Sequence, residues 1–291
     1  MKVGIMLNRV TWEIKQLINE FKIKNISYSL LNNQKVFFRL SKNKDAFKED
    51  FDVILERSLS YMRGLFTSRI LELKGYEVIN SFDCLNITGN KLLTTIRLIE
   101  EDIRTPVTDI AFTKDSALKS IMNDLGFPVV IKPIIGSWGR LISKLDDYNT
   151  ASGNLECREI MGNILQKIYY IQNYVETKNE DINFPIDIRV IVIGEDAVAA
   201  MGRFSPEKDF RSNIAIGGRA KEIKLTEEIK KVSIRATKAV KGEIVGVDLI
   251  YENGDLSVLE VNGTPQFKGI TEATKANISE YIANYISEKY S

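Results

Sequence analysis

Between Lys2 and Asn80 short apolar runs alternate with stretches of helical periodicity, and that order leaves few topologies open. The runs KVGIML, ISYSLL, FDVILERS and YEVINS read as strands. Helical patterns lie between them, from about Trp12 to Phe21 and from about Leu65 to Lys74. Strand, helix and strand in this succession build βαβ units on a parallel sheet. No G-x-G-x-x-G follows the first strand, so the opening section is not a dinucleotide-fingerprint domain.

The pattern then changes. From Asn86 a helix (GNKLLTTIRLIEED) leads through Pro106 to VTDIAF, a helix ending at Gly126 and the strand FPVVIKP, which together predict a small α+β unit. A helix centred on Glu159 to Lys167 and the strand YYIQNYVE follow. The hairpin DIRVIVIGEDAVAAMGRFS, the glycine-bearing loop SNIAIGGRA and a helix opened by Thr226, Glu227 and Glu228 come next. A second hairpin, GVDLIYENGDLSVLEVN, turns at Asn253-Gly254-Asp255, a strong local turn signal. An amphipathic helix from about Thr271 to Ser287 closes the pattern. The predicted organisation is α/β (α+β) in three units, 1–84, 85–172 and 173–291, with no internal repeat or low-complexity tract.

Composition mostly narrows the chemistry. Histidine is absent, which removes serine–histidine and cysteine–histidine nucleophiles, H-E-x-x-H zinc sites and any histidine general base. Cys84 and Cys157 stand far apart without metal or redox spacing, as reduced thiols would. The net charge of +1 gives no electrostatic case for general nucleic-acid or membrane-surface binding. The start MKVGIMLN has neither the charge nor the apolar length of a signal peptide, and no run is long enough to span a bilayer, so a cytoplasmic protein is expected. Reactivity must rest on carboxylates, Lys, Arg, amides and a borrowed metal.

Three places carry polar residues that a fold does not need. Lys132 ends a very apolar strand, and Gly136-Ser137-Trp138-Gly139-Arg140 makes a small turn after it. A lysine there asks for an anion, and glycines let backbone N–H groups wrap phosphate oxygens. A plain β-turn beside a lysine that reaches out to water is the other reading. In LEVNGTP, Glu260 and Asn262 share a strand face, with Leu259 and Val261 expected on the other, and Asp248 lies across the hairpin. Such hard oxygens suit Mg²⁺ or Mn²⁺ beside a nucleotide's phosphates; alternatively Asp248 and Glu260 pair with Lys or Arg on an exposed sheet face. Arg189, Arg203, Arg211 and Asn213 fall at further strand or loop positions, and Gly217-Gly218 suggests a loop over a ligand.

This ordered series resembles the ATP-grasp carboxylate–amine ligases of the RimK-like branch. The segment LERSLSYMRGL (Leu55 to Leu65) and the loop GSWGR are similar to the LysX/ArgX group, which acts on the carrier protein LysW. The resemblance implies an ATP-grasp fold with an N-terminal parallel-sheet pre-ATP-grasp domain, a small central α+β domain and a C-terminal antiparallel-sheet domain. It implies ATP contacts at Lys91, Lys132, Gly136, Ser137, Trp138, Gly139, Arg140, Asn213 and the hinge Gln172, Asn173, Tyr174 and Val175. Arg203, Ile214, Ala215, Gln266, Phe267, Lys268, Gly269 and Ile270 become the amino-acid side, with Arg203 and Lys132 catalytic. Asp248, Glu260 and Asn262 become ligands of one or two Mg²⁺, for which Mn²⁺ can substitute. The expected reaction joins glutamate, through its amino group, to the C-terminal glutamate side chain of LysW. Gly269 fits that glutamate branch, whereas Ile270 departs from its aromatic residue. An aminoadipate ligase, a RimK-type protein-tail ligase and a non-catalytic ATP-binding subunit are the alternatives. A homo-oligomer is expected, and the acidic carrier tail is expected to meet local positive charge, with Arg63, Lys208, Arg211 and Arg219 as candidates.

Overall fold

The computed structural model describes residues 1–136, 139–176, 185–204 and 219–290. The first strands, β1 (Lys2–Leu7), β2 (Ser27–Asn32), β3 (Val53–Glu56) and β4 (Val78–Ile79), form a parallel sheet in the order β2-β1-β3-β4. Helix α1 (Trp12–Ile23) covers one face, where Ile14, Leu17 and Phe21 are buried, each stabilising the fold by roughly 1.5–3 kcal/mol relative to exposure. Helix α2 (Tyr61–Leu73) covers the other, where Leu71 packs with Met6, Ile54 and Tyr76. Coverage on both sides explains why β3 reads as an unbroken apolar run rather than an alternation.

Helices α3 (Phe82–Thr88) and α4 (Lys91–Glu100) lead into a second, antiparallel sheet of β5 (Thr108–Ala111), β6 (Val129–Lys132), β7 (Ser143–Leu145) and β8 (Tyr169–Asn173), ordered β5-β8-β6-β7. Helices α5 (Lys114–Ser120) and α6 (Tyr148–Met161) close its core through Ala117, Ala151 and Leu155. The third sheet, β11-β10-β9-β12-β13, is antiparallel and built from β9 (Asp187–Ile193), β10 (Asp196–Phe204), β11 (Arg219–Glu222), β12 (Ile244–Glu252) and β13 (Asp255–Asn262). One face packs on α7 (Glu227–Ala239) through Ile188, Val190, Val192, Val245 and Val247. The other face is divided. Ile191, Ile193, Met201 and Ile244 join the core of the parallel sheet with α8 (Lys268–Thr274) and α9 (Ile278–Tyr290), while Asp187, Arg189, Arg203, Asp248 and Glu260 stand further along that face.

Several element boundaries differ from the sequence pattern. Helix α2 begins at Tyr61, before the predicted Leu65. The helix expected around Glu159 to Lys167 is α6, which starts at Tyr148 because Asp147 and Thr150 form a capping box; Gly162 ends it, and a short 3-10 turn holds Ile164–Lys167. The closing helix is two helices, because Lys275 takes a left-handed conformation (φ 61°) after α8. No helix of the described residues is long and apolar enough to cross a membrane.

Candidate active site

A cavity of about 490 Å³ opens where the three sheets meet, a size typical of small-molecule sites. Its charged wall follows from strand register. Asp187 and Arg189 are two apart on β9, Arg203 on β10 pairs with Asp187, Asp248 on β12 pairs with Arg189, and Glu260 on β13 pairs with Asp248. Directly paired residues share a face, so all five side chains form one row across the sheet. Asn262, opposite Gly246, continues it. A Cβ at Gly246 would stand 3.1 Å from Pro265 Cβ, so the glycine admits the chain Gly263–Gln266 against the row.

The row is paired internally. Arg189 donates Nε to Asp248 Oδ1 and Nη2 to Oδ2, both at 2.6 Å, while Arg203 Nη2 reaches Oδ2 at 3.0 Å and its Nε donates to Asp187 Oδ1 at 2.5 Å. Burial alone would raise the Asp248 carboxyl, but the two guanidiniums outweigh it and hold the pKa at about 2. Burial alone would lower Arg203, and the two carboxylates reverse that, pushing its pKa up. Glu260 is engaged through Oε1 by Lys91 Nζ at 3.1 Å, and the same ammonium donates to Gly136 O at 3.1 Å. Lys91 is placed by Asn90, which caps α4, and by its own N–H on Ile134 O.

Lys132 faces this row from the second sheet and lacks a carboxylate partner among the described residues. Its Nζ donates to Gln172 Oε1 at 2.5 Å. The Gln172 amide nitrogen in turn donates to Thr108 Oγ1 (2.9 Å) and Tyr170 OH (3.1 Å), and Tyr170 shares a hydrogen bond with Thr95 (2.8 Å). Burial, then the nearby Lys91 charge, pull the Lys132 pKa down to about 8, against the pull of Glu260, Asp248 and Asp187. The cavity therefore holds Lys91, Lys132, Arg189 and Arg203 against Asp187, Asp248 and Glu260. That balance suits a polyanion arriving with its own metal.

Most of the residues singled out by the sequence meet in this cavity: Lys91, Lys132, Gly136, Gly139, Arg140, Gln172, Asn173, Tyr174, Val175, Arg203, Asp248, Glu260, Asn262 and Gln266 line it. Ser137, Trp138, Lys208, Arg211, Asn213, Ile214, Ala215, Ile216 and the Gly217-Gly218 pair lie outside the described residues. Phe267 and Ile270 are buried in the apolar core, Phe267 edge-on to Trp12 and under the Arg57 guanidinium, so of the run Gln266 to Ile270 only Gln266 reaches the cavity. Leu259 departs from the alternation. A β-bulge between Asp248 and Leu249 adds one residue to β13, and Leu259 lines the cavity beside Glu260 instead of facing away. Asp248 is 4 % exposed, so its arginine partners meet it on a buried wall and not on an exposed face. Gln172 does more than the sequence assigned to it: its carboxamide is spent on Lys132, Thr108 and Tyr170.

Sequence reasoning missed Asp187 and the partnership of Arg189 with Asp248. The first follows from the β9–β10 hairpin, which sets Asp187 opposite Arg203, and the second from the pairing of β9 with β12, elements far apart in the chain; the only local signal was the two-residue spacing in DIRV. It also missed the wall that the first sheet supplies through Ser58, Leu59 and Tyr61. Among the described residues no cluster of three or more His, Cys, Asp or Glu could hold a metal ion. Asp248, Glu260 and Asn262 line the cavity beside a third carboxylate, Asp187, and their oxygen chemistry fits a hard cation that completes its shell with phosphate and water. The Asn173 Oδ1 atom is buried without a partner, as a ligand N–H donor would require.

The fold and this cavity define an ATP-grasp protein. The chain belongs to the RimK-like ATP-grasp family: residues 88–286 match the RimK-like ATP-grasp domain and residues 3–87 match the LysX preATP-grasp domain. It is 34 % identical over 292 residues to the glutamate–LysW ligase ArgX of Sulfurisphaera tokodaii, covering 100 % of both chains. It is 35 % identical to the α-aminoadipate–LysW ligase LysX of Saccharolobus solfataricus, covering 95 % of this chain and 98 % of that one. Among solved structures, the ATP-grasp ligase PsnB complexed with a phosphomimetic variant of its minimal precursor, Mg and ADP aligns with a TM-score of 0.75 at 17 % identity, covering 98 % of each chain.

Proposed function

We propose that this chain is an ADP-forming carboxylate–amine ligase that joins the α-amino group of glutamate to the side-chain carboxylate of the C-terminal glutamate of a LysW-type carrier protein. The cavity in which Lys91, Lys132, Arg189 and Arg203 face Asp248, Glu260 and Asn262 carries this reading, because it concentrates fixed cations and hard oxygens without any histidine. The units 1–84, 85–172 and 173–291 then serve as the pre-ATP-grasp domain and the two halves of the nucleotide clasp.

In this reading a carboxylate oxygen of the acceptor attacks the γ-phosphorus of ATP, the bond to the bridging oxygen breaks, and ADP leaves. The glutamate nitrogen then attacks the acyl carbon of the acyl phosphate, the carbon–oxygen bond to phosphate breaks, and the nitrogen gives up its proton. Such phosphoryl transfer depends chiefly on positioning and charge neutralisation. Lys91 and Lys132 neutralise phosphate oxygens, and Lys132 is kept in place by Gln172 rather than by an acid that would cancel its charge. Arg189 and Arg203, locked by Asp187 and Asp248, present positive charge that need not reorganise. Asp248, Glu260 and Asn262 would hold Mg²⁺, which when bound supplies further neutralisation of the phosphate charge.

An aminoadipate ligase is the second reading, favoured by the 35 % identity to a relative with that name. Offering glutamate and aminoadipate in parallel with carrier and ATP, and weighing the product by mass spectrometry, separates the two. ADP release should depend on both carrier and amino acid, and Glu260→Gln should abolish it while leaving folding intact. Normal turnover by that variant, or ADP release indifferent to carrier and amine, would end the assignment.

A further inference from the structure

The connection from β2 to β3 presents an outward surface for which the fold has no use. Its inner side is anchored. Phe38 and Phe47 stack edge-to-face, Phe47 does the same with Phe51 and Tyr76, and Lys74 Nζ holds Ser41 Oγ (3.0 Å), Asn43 O (3.4 Å) and Asp45 Oδ1 (2.5 Å). Its outer side carries Phe37 at 93 % and Leu40 at 72 % exposure.

The charges around these two apolar side chains are lopsided. Each acid of the segment is already taken: Asp45 by Lys74, Asp50 by Lys44 at 2.8 Å, Glu49 by Lys2 at 3.0 Å and Ser29 at 2.8 Å, and Asp52 by the Lys2 backbone N–H at 2.6 Å. Lys35, Arg39 and Lys42 have no carboxylate within 4 Å among the described residues, although Arg39 acts on Asp45 at longer range. The local excess is positive, with two apolar side chains inside it. An apolar centre ringed by unpaired charge of one sign is complementary to a partner of the opposite sign.

The position of the segment connects it to the cavity. Asn33, at its start, donates Nδ2 to Ser58 Oγ at 2.7 Å, and Ser58, Leu59 and Tyr61 line the cavity. Gln34, with its amide oriented to satisfy both neighbours, donates to Asn8 O at 3.1 Å and accepts from Arg63 Nη1 at 2.6 Å. Arg63 likewise has no carboxylate partner among the described residues. A protein seated on Lys35, Phe37, Arg39, Leu40 and Lys42 would stand beside the wall that the first sheet gives the cavity.

We propose that the outward face of residues 35–42, continued by Arg63, docks an acidic protein partner and delivers that partner's C-terminal tail past Ser58 and Tyr61 to Lys132. This rests on the carrier-ligase reading above, with the carrier as the partner. The surface grips the folded body of the partner; the cavity grips its tail.

The test compares the full carrier protein with a synthetic peptide of its C-terminal residues, on wild type, on the triple variant Lys35→Glu, Arg39→Glu, Lys42→Glu, and on Phe37→Ser. Expected for the triple variant is a rise of about ten-fold or more in carrier KM, with peptide kinetics and the KM values for ATP and amino acid within about two-fold of wild type. Phe37→Ser should move carrier KM in the same direction by less. Salt should raise the wild-type carrier KM and leave that of the triple variant nearly flat. Carrier binding without ATP, followed by fluorescence anisotropy, should weaken in parallel. An unchanged carrier KM, or equal losses with carrier and peptide, would overturn the surface while leaving the ligase reading standing. Binding of the carrier by wild type without ligation would remove the ligase reading, and the anisotropy of the variants would still decide the surface. No binding by wild type overturns the proposal.

Discussion

Two buried carboxylates stand on strands of different sheets and meet opposite electrostatic fates. Asp248, on the antiparallel sheet, lies against Arg189 and Arg203, which hold its pKa at about 2. Glu56, at the end of β3 in the parallel sheet, accepts the Ser58 N–H at 2.5 Å through Oε1, while its Oε2 is buried without a partner. Burial raises its pKa to about 7, against lesser opposing pulls from Ser58 and Arg57. The difference is one of partners and not of depth, since both side chains are almost wholly shielded from water. A parallel sheet covered on both faces leaves no row of positions for counter-charges, whereas the antiparallel sheet gives one half-face to alternating charges.

The harshest way to break this comparison is Asp248→Ala. Removing the carboxylate takes the shared anion from the buried Arg203 and the half-buried Arg189, which costs about 3–5 kcal/mol. Denaturant unfolding should show that loss, and ADP formation should disappear with it. Acid titration sharpens the point. Because the folded pKa lies below the unfolded value of 3.8, the Asp248 contribution is present above about pH 4 and is lost as pH falls toward 2. The variant should lack that segment of the stability curve.

Glu56→Gln tests the other half. The folded pKa lies above the unfolded value of 4.5, so wild type binds a proton in the folded state that the unfolded chain gives up. Stability from this group is full below pH 4.5 and is lost as pH rises through about 7, an effect of at most about 3 kcal/mol. The variant cannot ionise. Relative to wild type it should gain stability from about pH 4.5 to pH 7 in thermal melts and level off above that; a constant offset across that range would show that Glu56 is not the titrating group.

How much of this was legible beforehand depends on how local each contact is. The Asn253-Gly254 hairpin sets Asp248 opposite Glu260 from fewer than twenty residues of sequence, and the alternation around it carries the face assignment. The bulge that turns Leu259 toward the cavity marks the sequence only as the apolar doublet Val258-Leu259, which shifts the alternation by one residue so that Leu256, Val258 and Val261 share the buried face. The break at Lys275 is silent, since a lysine in a left-handed conformation reads like any helical lysine. Contacts between distant segments were out of reach altogether. Arg57 Nη2 donates to Pro265 O at 2.6 Å, and Asn80 Nδ2 donates to Gly263 O at 2.6 Å. The first sheet thereby fixes the chain that leaves the charged row, and neither residue carried a sign of it in its own neighbourhood.

A neutral relay offers the smallest effect and the finest discrimination. Lys132 is a half-buried cation held by an amide that hydroxyls hold in turn, in contrast to Arg203, which is held by acids. Tyr170→Phe removes the phenol that joins Thr95 to Gln172, while Gln172 keeps its bond to Thr108 and goes on accepting from Lys132. The expected cost is about 1 kcal/mol, or a melting temperature lower by about 2–4 °C. Turnover should stay within a few-fold, with the change in the KM for ATP rather than in that for the amino acid, because Lys132 loses orientation but not charge. A loss as large as that of Asp248→Ala would mean that neutral hydrogen bonds and ion pairs hold this cavity equally, and the contrast between its two kinds of support would fail.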